Sequence, residues 1–414
     1  MSSPAQLGHV LPFEAARQVV EDHARNLARP RVESVDLLHA HDRVLAEDLH
    51  ADRDFPPFKR SARDGFALRA EDVRRLPAQL RVTGEVQAGS PLGMHSVASG
   101  TAVEIMTGAA VPDGADAVVM VEYTRRNGES VVIEREVKPG ENVVPMGSEA
   151  RTGQLLLSAG TRMRFAQFAI AAAIGRTQVR VYSRPRVAIL STGDEIVDIA
   201  SRPAPHQIRN SNSYSLWAQI TAVGAEPAML PVAPDNEAVL RHLIEQGLTF
   251  DLLLMTGGVS MGKYDLVEKV LEQYHAEFFF TGALIQPGRP IVFGHVPKQD
   301  RDSAYFFGLP GNPVSTMVTF DLFVRPMLDG LSGSAPAPLR FLRAGLTRDI
   351  RTKTGLTRFL PAKLSGQQAN TTVELVSWQG SGDMAAVARA DCYIVVPPDR
   401  EHIPAGEMVP VLLR

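Results

Sequence analysis

Asp251-Leu252-Leu253-Leu254-Met255-Thr256-Gly257-Gly258-Val259-Ser260-Met261-Gly262-Lys263-Tyr264-Asp265 runs from a fully apolar stretch through a glycine turn toward a helix. A run apolar at consecutive positions, with no alternation, belongs to a strand buried on both faces. The same grammar recurs on either side. Val187-Ala188-Ile189-Leu190 leads into Ser191-Thr192-Gly193-Asp194-Glu195, and Tyr305-Phe306-Phe307 leads into Gly308-Leu309-Pro310-Gly311-Asn312-Pro313-Val314-Ser315. Helix-period segments occupy 213–223, 235–246, 265–274 and 313–328. Strands alternating with helices predict a parallel sheet covered on both sides, over 184–331.

Outward from that core the pattern changes. Residues 12–50 read as helical, with Phe13, Ala16, Val19, Val20, His23 and Leu27 recurring at helical spacing and Pro12 in the first turn. A second helix at 161–175 is expected to pack beside it. Between them, β-like runs at 80–86, 102–106, 117–122 and 131–135 are separated by Gly, Pro and Asn-Gly turns. After 332 the chain reads as short strands. The expected division is 1–52 with 147–183 (a discontinuous helical domain), 53–146 (inserted, β-rich), 184–331 (α/β) and 332–414 (C-terminal β).

A chain of 414 residues is too long for one core, and 44% hydrophobic with 21% charged residues is an ordinary globular balance. A net charge of −3 argues against nucleic-acid binding. The basic stretch at 178–186 alternates with apolar residues, as a solvated strand edge does. The single cysteine, Cys392, excludes an intramolecular disulfide and a thiolate cluster, and its apolar setting predicts a packed thiol. The 11 histidines show no zinc spacing. No leader-like segment or bilayer-length apolar run is expected, so the expected location is cytoplasmic, without a membrane partner.

Ligands of a parallel α/β sheet gather at the carboxyl ends of its strands, where helix N-termini present unpaired N–H groups. Gly257 and Gly258 let a phosphate approach the backbone, and Ser260 adds a hydroxyl. Asn312 is the expected N-cap of a helix that Pro313 opens. Asp194, Glu195 and Asp265 lie on these loops, and Asp235 opens a helix. Carboxylates beside phosphate-binding loops make sense with Mg²⁺ between them and the ligand; Asp235 suits an N-cap equally well. In the insert, the stretch 55–67 reads as a rigid surface loop presenting Asp64, and 106–116 begins with a hydroxyl at Thr107.

The ordered set Pro56-Pro57-Phe58, Ser61-Ala62-Arg63-Asp64-Gly65-Phe66-Ala67, Met106-Thr107-Gly108-Ala109, Ser191-Thr192-Gly193-Asp194-Glu195, Gly257-Gly258-Val259-Ser260-Met261-Gly262, Pro287-Gly288-Arg289-Pro290 and Gly308-Leu309-Pro310-Gly311-Asn312-Pro313-Val314-Ser315 resembles the molybdopterin molybdenumtransferases, the bacterial MoeA proteins and the E domain of gephyrin-like proteins. The resemblance covers nearly the whole chain. It implies a central MogA-like α/β domain, a helical dimerisation domain, the inserted β domain and a C-terminal β-barrel-like domain. It also implies insertion of molybdenum from molybdate into adenylylated molybdopterin with Mg²⁺-dependent release of AMP. Asp64, Thr107, Glu195, Asp235 and Asp265 would carry the chemistry, and Asp194, Glu195, Asp235 and Asp265 the metal. Ser191, Thr192, Gly193, Gly257, Gly258, Ser260, Arg289, Gly311, Asn312 and Ser315 would hold the pterin and nucleotide. A homodimer would carry an inter-subunit active site, and a molybdopterin adenylyltransferase is an implied partner. Two other readings are that adenylyltransferase activity itself and a non-catalytic pterin-binding scaffold.

The chain departs from the family pattern at Glu149, Gln286, Asn236 and Ala385-Ala386. Arg289 stands where the family usually has Lys, and the resemblance implies a bidentate phosphate grip in its place.

Overall fold

The three apolar runs become the strands Arg186–Ser191, Leu252–Thr256 and Ala304–Leu309 in the computed structural model, which describes residues 10–257, 266–297, 303–367 and 370–414. They lie side by side and parallel in a six-stranded sheet. Glu226–Met229 joins at one edge in parallel, and Val292–Val296 and Glu277–Phe280 complete the other edge in antiparallel fashion. That antiparallel pair was not read from the sequence, because its strands are only partly apolar and their pairing depends on the neighbouring strand.

Two-sided burial follows from the residue types. Val187, Ile189, Leu252, Leu254 and Phe307 pack toward Leu216 and Ile220 of the helix Ser211–Ala222 and toward Val314 and Val318. Ala188, Leu190, Leu253, Met255 and Phe306 pack on the other face against Leu240 and Ile244 of Glu237–Gly247 and Val267 and Val270 of Leu266–Gln273. Each fully buried leucine or phenylalanine contributes about 1.5–3 kcal/mol. The register then fixes the site: Ser191 pairs with Thr256, and Thr256 with Leu309, so three loops leave the sheet at one level.

Residues 12–50 are not one helical region. The helix Phe13–Arg25 stops at Asn26, and Val32–Asp36 is a strand antiparallel to Gln178–Tyr182. Pro30 prevents helical continuation, and the half-buried alternation of Val32–Asp36 suits an edge pair. Phe13, Ala16, Val20 and Ala24 pack with Phe323, Met327 and Leu328. The last helix of the α/β region widens into a π-turn at Phe320–Val324 before Arg325–Leu331. Pro326 has no N–H to give the Leu322 carbonyl, and Arg17 Nη1 bonds that oxygen at 2.5 Å instead.

Beyond it, Phe341–Leu346, Met408–Leu413, Cys392–Val396, Thr357–Ser365 and Thr372–Leu375 close into a five-stranded barrel. Cys392 is fully buried there, and burial pushes its thiol up to about 12. Ile285–Gln286 pairs with the Thr357 strand and so ties the Pro287 turn to the barrel.

These elements belong to a compact unit comprising Met1–Ala46, Gly160–Arg164 and Gln178–Arg414; a second unit comprises Glu47–Ala159 and Phe165–Thr177. In the second, six strands run in the order Ala117–Met120, Gly65–Leu68, Thr101–Ile105, Ala78–Val86, Ser130–Ile133 and Thr124–Asn127. Part of the expected surface loop at 55–67 is therefore a strand: Gly65–Leu68 is buried throughout, next to the exposed Asp64. Phe165–Ala173 is a helix of this second unit, and only its Ala171 is buried. Among the described residues no helix is long and apolar enough to cross a membrane.

Candidate active site

Above the three level strand ends lies a cleft of about 900 Å³. Of the residues expected there, Ser191, Thr192, Glu195, Gly257, Gly311 and Asn312 line it. Glycine is required at two positions of these loops, and at one of them for close approach of another loop. Gly257 has φ +85°, and a Cβ on it would collide with the Thr192 carbonyl oxygen. Gly193 has φ +132°, and a Cβ there would meet the Glu195 carboxylate. A side chain at 257 would push two loops apart, and one at 193 would strain the backbone and displace the Glu195 carboxylate.

Two asparagines lie ahead of residue 213, where the helical spacing starts, and neither is legible from that spacing. Asn210 is the N-cap of Ser211–Ala222, accepting from the Ser213 N–H at 3.1 Å. Ser191 Oγ donates to the same Asn210 oxygen at 3.1 Å and lies 2.9 Å from Ser213 Oγ, so Ser191 supports the cap. Asn212 Nδ2 donates to Thr256 Oγ1 and to the Gly311 carbonyl, both at 2.8 Å, stitching the loops together. The signal was present: Asn210-Ser211-Asn212-Ser213 is a run of capping residues before an apolar-periodic segment.

Two polar atoms of this cleft are left over. Thr192 is 4% exposed, and its Oγ1, like Asn212 Oδ1, is buried without a hydrogen-bond partner among the described residues. Buried polar groups are nearly always bonded, so such a pair at the mouth of a helix N-terminus marks where ligand atoms belong.

The carboxylates are exposed. Glu195 lines the cleft, while Asp194 Oδ1 accepts from the Asp235 N–H at 3.0 Å and brings those two acids together. The N-cap role open to Asp235 falls one residue later: Asn236 accepts from the Ala238 and Val239 N–H groups at 3.0 and 3.2 Å. Among the described residues no group of three or more His, Cys, Asp or Glu could hold a metal ion. Asp265, Gly258 and Ser260 lie outside the described residues.

A neighbouring cavity of about 330 Å³ shares Pro290, Pro310 and Asn312 with the cleft and contains Arg289 and Ser315. Those two expected ligands therefore belong to a side compartment. Asn312 sits at the N-cap position of Pro313–Thr319 but makes no capping bond with its side chain. The Pro310 carbonyl is bonded by Thr316 Oγ1 at 2.5 Å, and the Val314 N–H goes to the Ser381 carbonyl. Gln286 lines the side compartment, and Ala386 is fully buried in the helix Met384–Arg389, which Asp383 caps.

In the second unit, Asp64 and Thr107 are joined although 43 residues apart. Asp64 Oδ1 accepts from Thr107 Oγ1 at 2.7 Å and from its N–H at 2.6 Å. First the hydroxyl and then the amide hold the Asp64 carboxyl below its ordinary range. Glu149 pairs with Arg60 Nη2 at 2.6 Å.

Residues 11–175 match the family described as MoeA N-terminal region (domain I and II), 188–330 the probable molybdopterin binding domain, and 343–413 the MoeA C-terminal region (domain IV). The chain is 34% identical over 405 residues to a Synechocystis protein named molybdopterin molybdenumtransferase, covering 97% of this chain and 99% of the relative. A Bacillus subtilis protein of the same name is 34% identical over 388 residues, covering 91% and 88%. Among solved structures, the molybdopterin biosynthesis MoeA protein of Pyrococcus horikoshii superposes with a TM-score of 0.81 at 30% identity, over 98% of this chain and 100% of that one.

Proposed function

Because this chain belongs to the MoeA family of molybdopterin molybdenumtransferases, we propose that it inserts molybdenum from molybdate into adenylylated molybdopterin, with Mg²⁺-assisted release of AMP. The observation that carries this reading is the strand-end cleft with two atoms unpartnered among the described residues, Thr192 Oγ1 and Asn212 Oδ1. Leaving a buried polar group unbonded costs roughly 1–3 kcal/mol, which a ligand with polar edges recovers. In this reading Thr192 and Asn212 bond the heteroatoms of the ligand. The tight turns at Gly193 and Gly257 admit its phosphates to the backbone, and the Asn210-capped helix faces their charge.

The donor set fits Mg²⁺ as an ion shared with substrate. Glu195, which lines the cleft, and the Asp194–Asp235 pair are hard oxygen donors, and no three of them are close enough to cage an ion alone. Mg²⁺ characteristically takes one or two carboxylates plus phosphate oxygens and water. When bound it neutralises the diphosphate and polarises it for cleavage. Asp265 completes this set in the proposal.

A homodimer is part of the same reading. The helix Phe165–Ala173 is apolar except at Gln167, yet Phe165 is 87% exposed, which suits a face covered by a second copy. In that dimer the Asp64–Thr107 clamp of one subunit serves the cleft of the other. A molybdopterin adenylyltransferase supplies the adenylylated substrate, and the reaction is cytoplasmic.

The test is incubation with adenylylated molybdopterin, Mg²⁺ and molybdate, followed by assay of AMP and active cofactor. Glu195→Gln and Asp265→Asn are expected to lower molybdate-dependent AMP release at least a hundredfold while the circular dichroism spectrum stays native. Wild-type turnover in both variants would remove the metal assignment.

A further inference from the structure

A third cavity, of about 150 Å³, lies at the opposite end of the Ser211–Ala222 helix, where Ala222 and Val223 form part of its wall. Twelve residues at about 1.5 Å of rise each put roughly 18 Å between the helix ends, so this cavity is distinct from the strand-end cleft. Six arginines and three aspartates line it. Positive charge is in excess.

Three of the six, Arg17, Arg162 and Arg164, are ion-paired with carboxylates, and among the described residues the other three are not. Arg17 donates to the Leu322 and Ala337 carbonyls at 2.5 and 3.1 Å and pairs with Glu21 at 2.8 Å. Arg162 bonds the Asp42 and Val223 carbonyls at 2.9 and 3.3 Å and pairs with Asp329 at 3.2 Å. Arg414 donates to the Val387 and Ala390 carbonyls at 3.0 and 3.2 Å, and carbonyls carry no net charge. Arg325 and Arg340 make no side-chain hydrogen bond or ion pair among the described residues, although Arg325 is close enough to act on the Asp321 carboxyl through space. Asp321 itself accepts from Gln219 Nε2 at 3.2 Å, and its burial raises its carboxyl, weakening it as a counter-charge.

A second observation points to a ligand. Tyr393, on the barrel strand Cys392–Val396, is 1% exposed and lines this cavity, and its hydroxyl is buried without a hydrogen-bond partner among the described residues. Burial pushes the phenol up, so it remains a proton donor. A buried donor among arginines is satisfied by an anion's oxygen.

We propose that this cavity binds a tetrahedral oxyanion of the phosphate, sulfate or molybdate class, gripped by Arg325 and Arg340 and by the Tyr393 hydroxyl. A water occupies about 30 Å³, so the space suits one such ion with a few waters and excludes a nucleoside. The inference does not rest on the proposed function, since none of these side chains lines the strand-end cleft.

Equilibrium dialysis of the full-length protein against inorganic phosphate, sulfate and molybdate, each alone, tests it. Arg325→Gln with Arg340→Gln is expected to weaken binding at least tenfold, since each lost charge-assisted bond is worth about tenfold or more. Tyr393→Phe, which keeps the packed ring, should weaken it by about threefold to tenfold. Asn212→Ala in the cleft should leave this binding unchanged, and melting temperatures confirm that the variants are folded. Tighter binding of molybdate than of phosphate assigns the site to the metal oxyanion; the reverse order assigns it to phosphate. Absence of saturable binding at millimolar concentration, or binding lost with Asn212→Ala and kept in the arginine variant, overturns the proposal.

Discussion

The strand Leu252–Thr256 of the α/β unit is buried at every position, whereas Ala78–Val86 of the insert alternates between buried and solvent-facing residues. Both belong to six-stranded sheets. Covering a sheet on both faces leaves its strands no room for polar side chains, so polar chemistry is displaced to the strand ends. There it depends on backbone approach, as where Gly257 meets Thr192. In the insert the strand Ala78–Val86 keeps alternate side chains in water, and the polar feature is built locally: Asp64 is exposed and pinned by both donors of Thr107. A site of the first kind is set by packing, and one of the second kind by a few hydrogen bonds.

Alanine in place of a positive-φ glycine breaks that contrast most sharply. Gly257→Ala is expected to abolish turnover and to cost about 2–4 kcal/mol, because the strain of φ +85° adds to a backbone collision. Gly108→Ala in the insert has a similar φ of +81° but nothing within 4 Å of the new Cβ, and should cost only about 1 kcal/mol. Equal losses in urea unfolding would show that conformation alone matters at both places.

A smaller effect of opposite sign is expected from Thr192→Val. Replacing an unpartnered buried hydroxyl by a methyl should leave stability unchanged or raise it by about 1 kcal/mol, while ligand binding weakens about tenfold. Parallel loss of stability and binding would mean that the hydroxyl is structural.

The mildest change lies in the insert. Asp64 is titrated downward by Thr107, so its contribution to stability is fully present above the unfolded carboxylate pKa, near 4, and is lost as pH falls through the lower folded value. Thr107→Val should move the Asp64 carboxyl up toward its ordinary range in an NMR titration. An unmoved carboxyl would show that the clamp is not formed in solution.

Much of the central architecture was legible because its cause is local. A run such as Leu252-Leu253-Leu254-Met255 has one comfortable environment, and the glycine turns after such runs mark strand ends. Register is not local. Only the pairing of Ser191 with Thr256 and of Thr256 with Leu309 shows that the loops form one cleft. Arg289 and Ser315, credited to the same site, fall into its side compartment for the same reason. The capping asparagines illustrate a finer limit: one-residue shifts decide whether Asp235 or Asn236 caps a helix, and periodicity does not resolve one residue. Gly65–Leu68 was hidden by the proline-rich stretch before it, and the end of the first helix by apolar residues that belong to a strand. The arginine cavity was invisible, because Arg17, Arg162, Arg325, Arg340 and Arg414 are brought together only by the fold.

The decisive measurement is a crystal structure of the protein soaked with adenylylated molybdopterin. The ligand is expected to lie on the turns that follow Ser191, Thr256 and Leu309, with polar atoms within hydrogen-bond distance of Thr192 Oγ1 and Asn212 Oδ1. A ligand seated elsewhere, with those two atoms still unbonded, would contradict the assignment of the cleft.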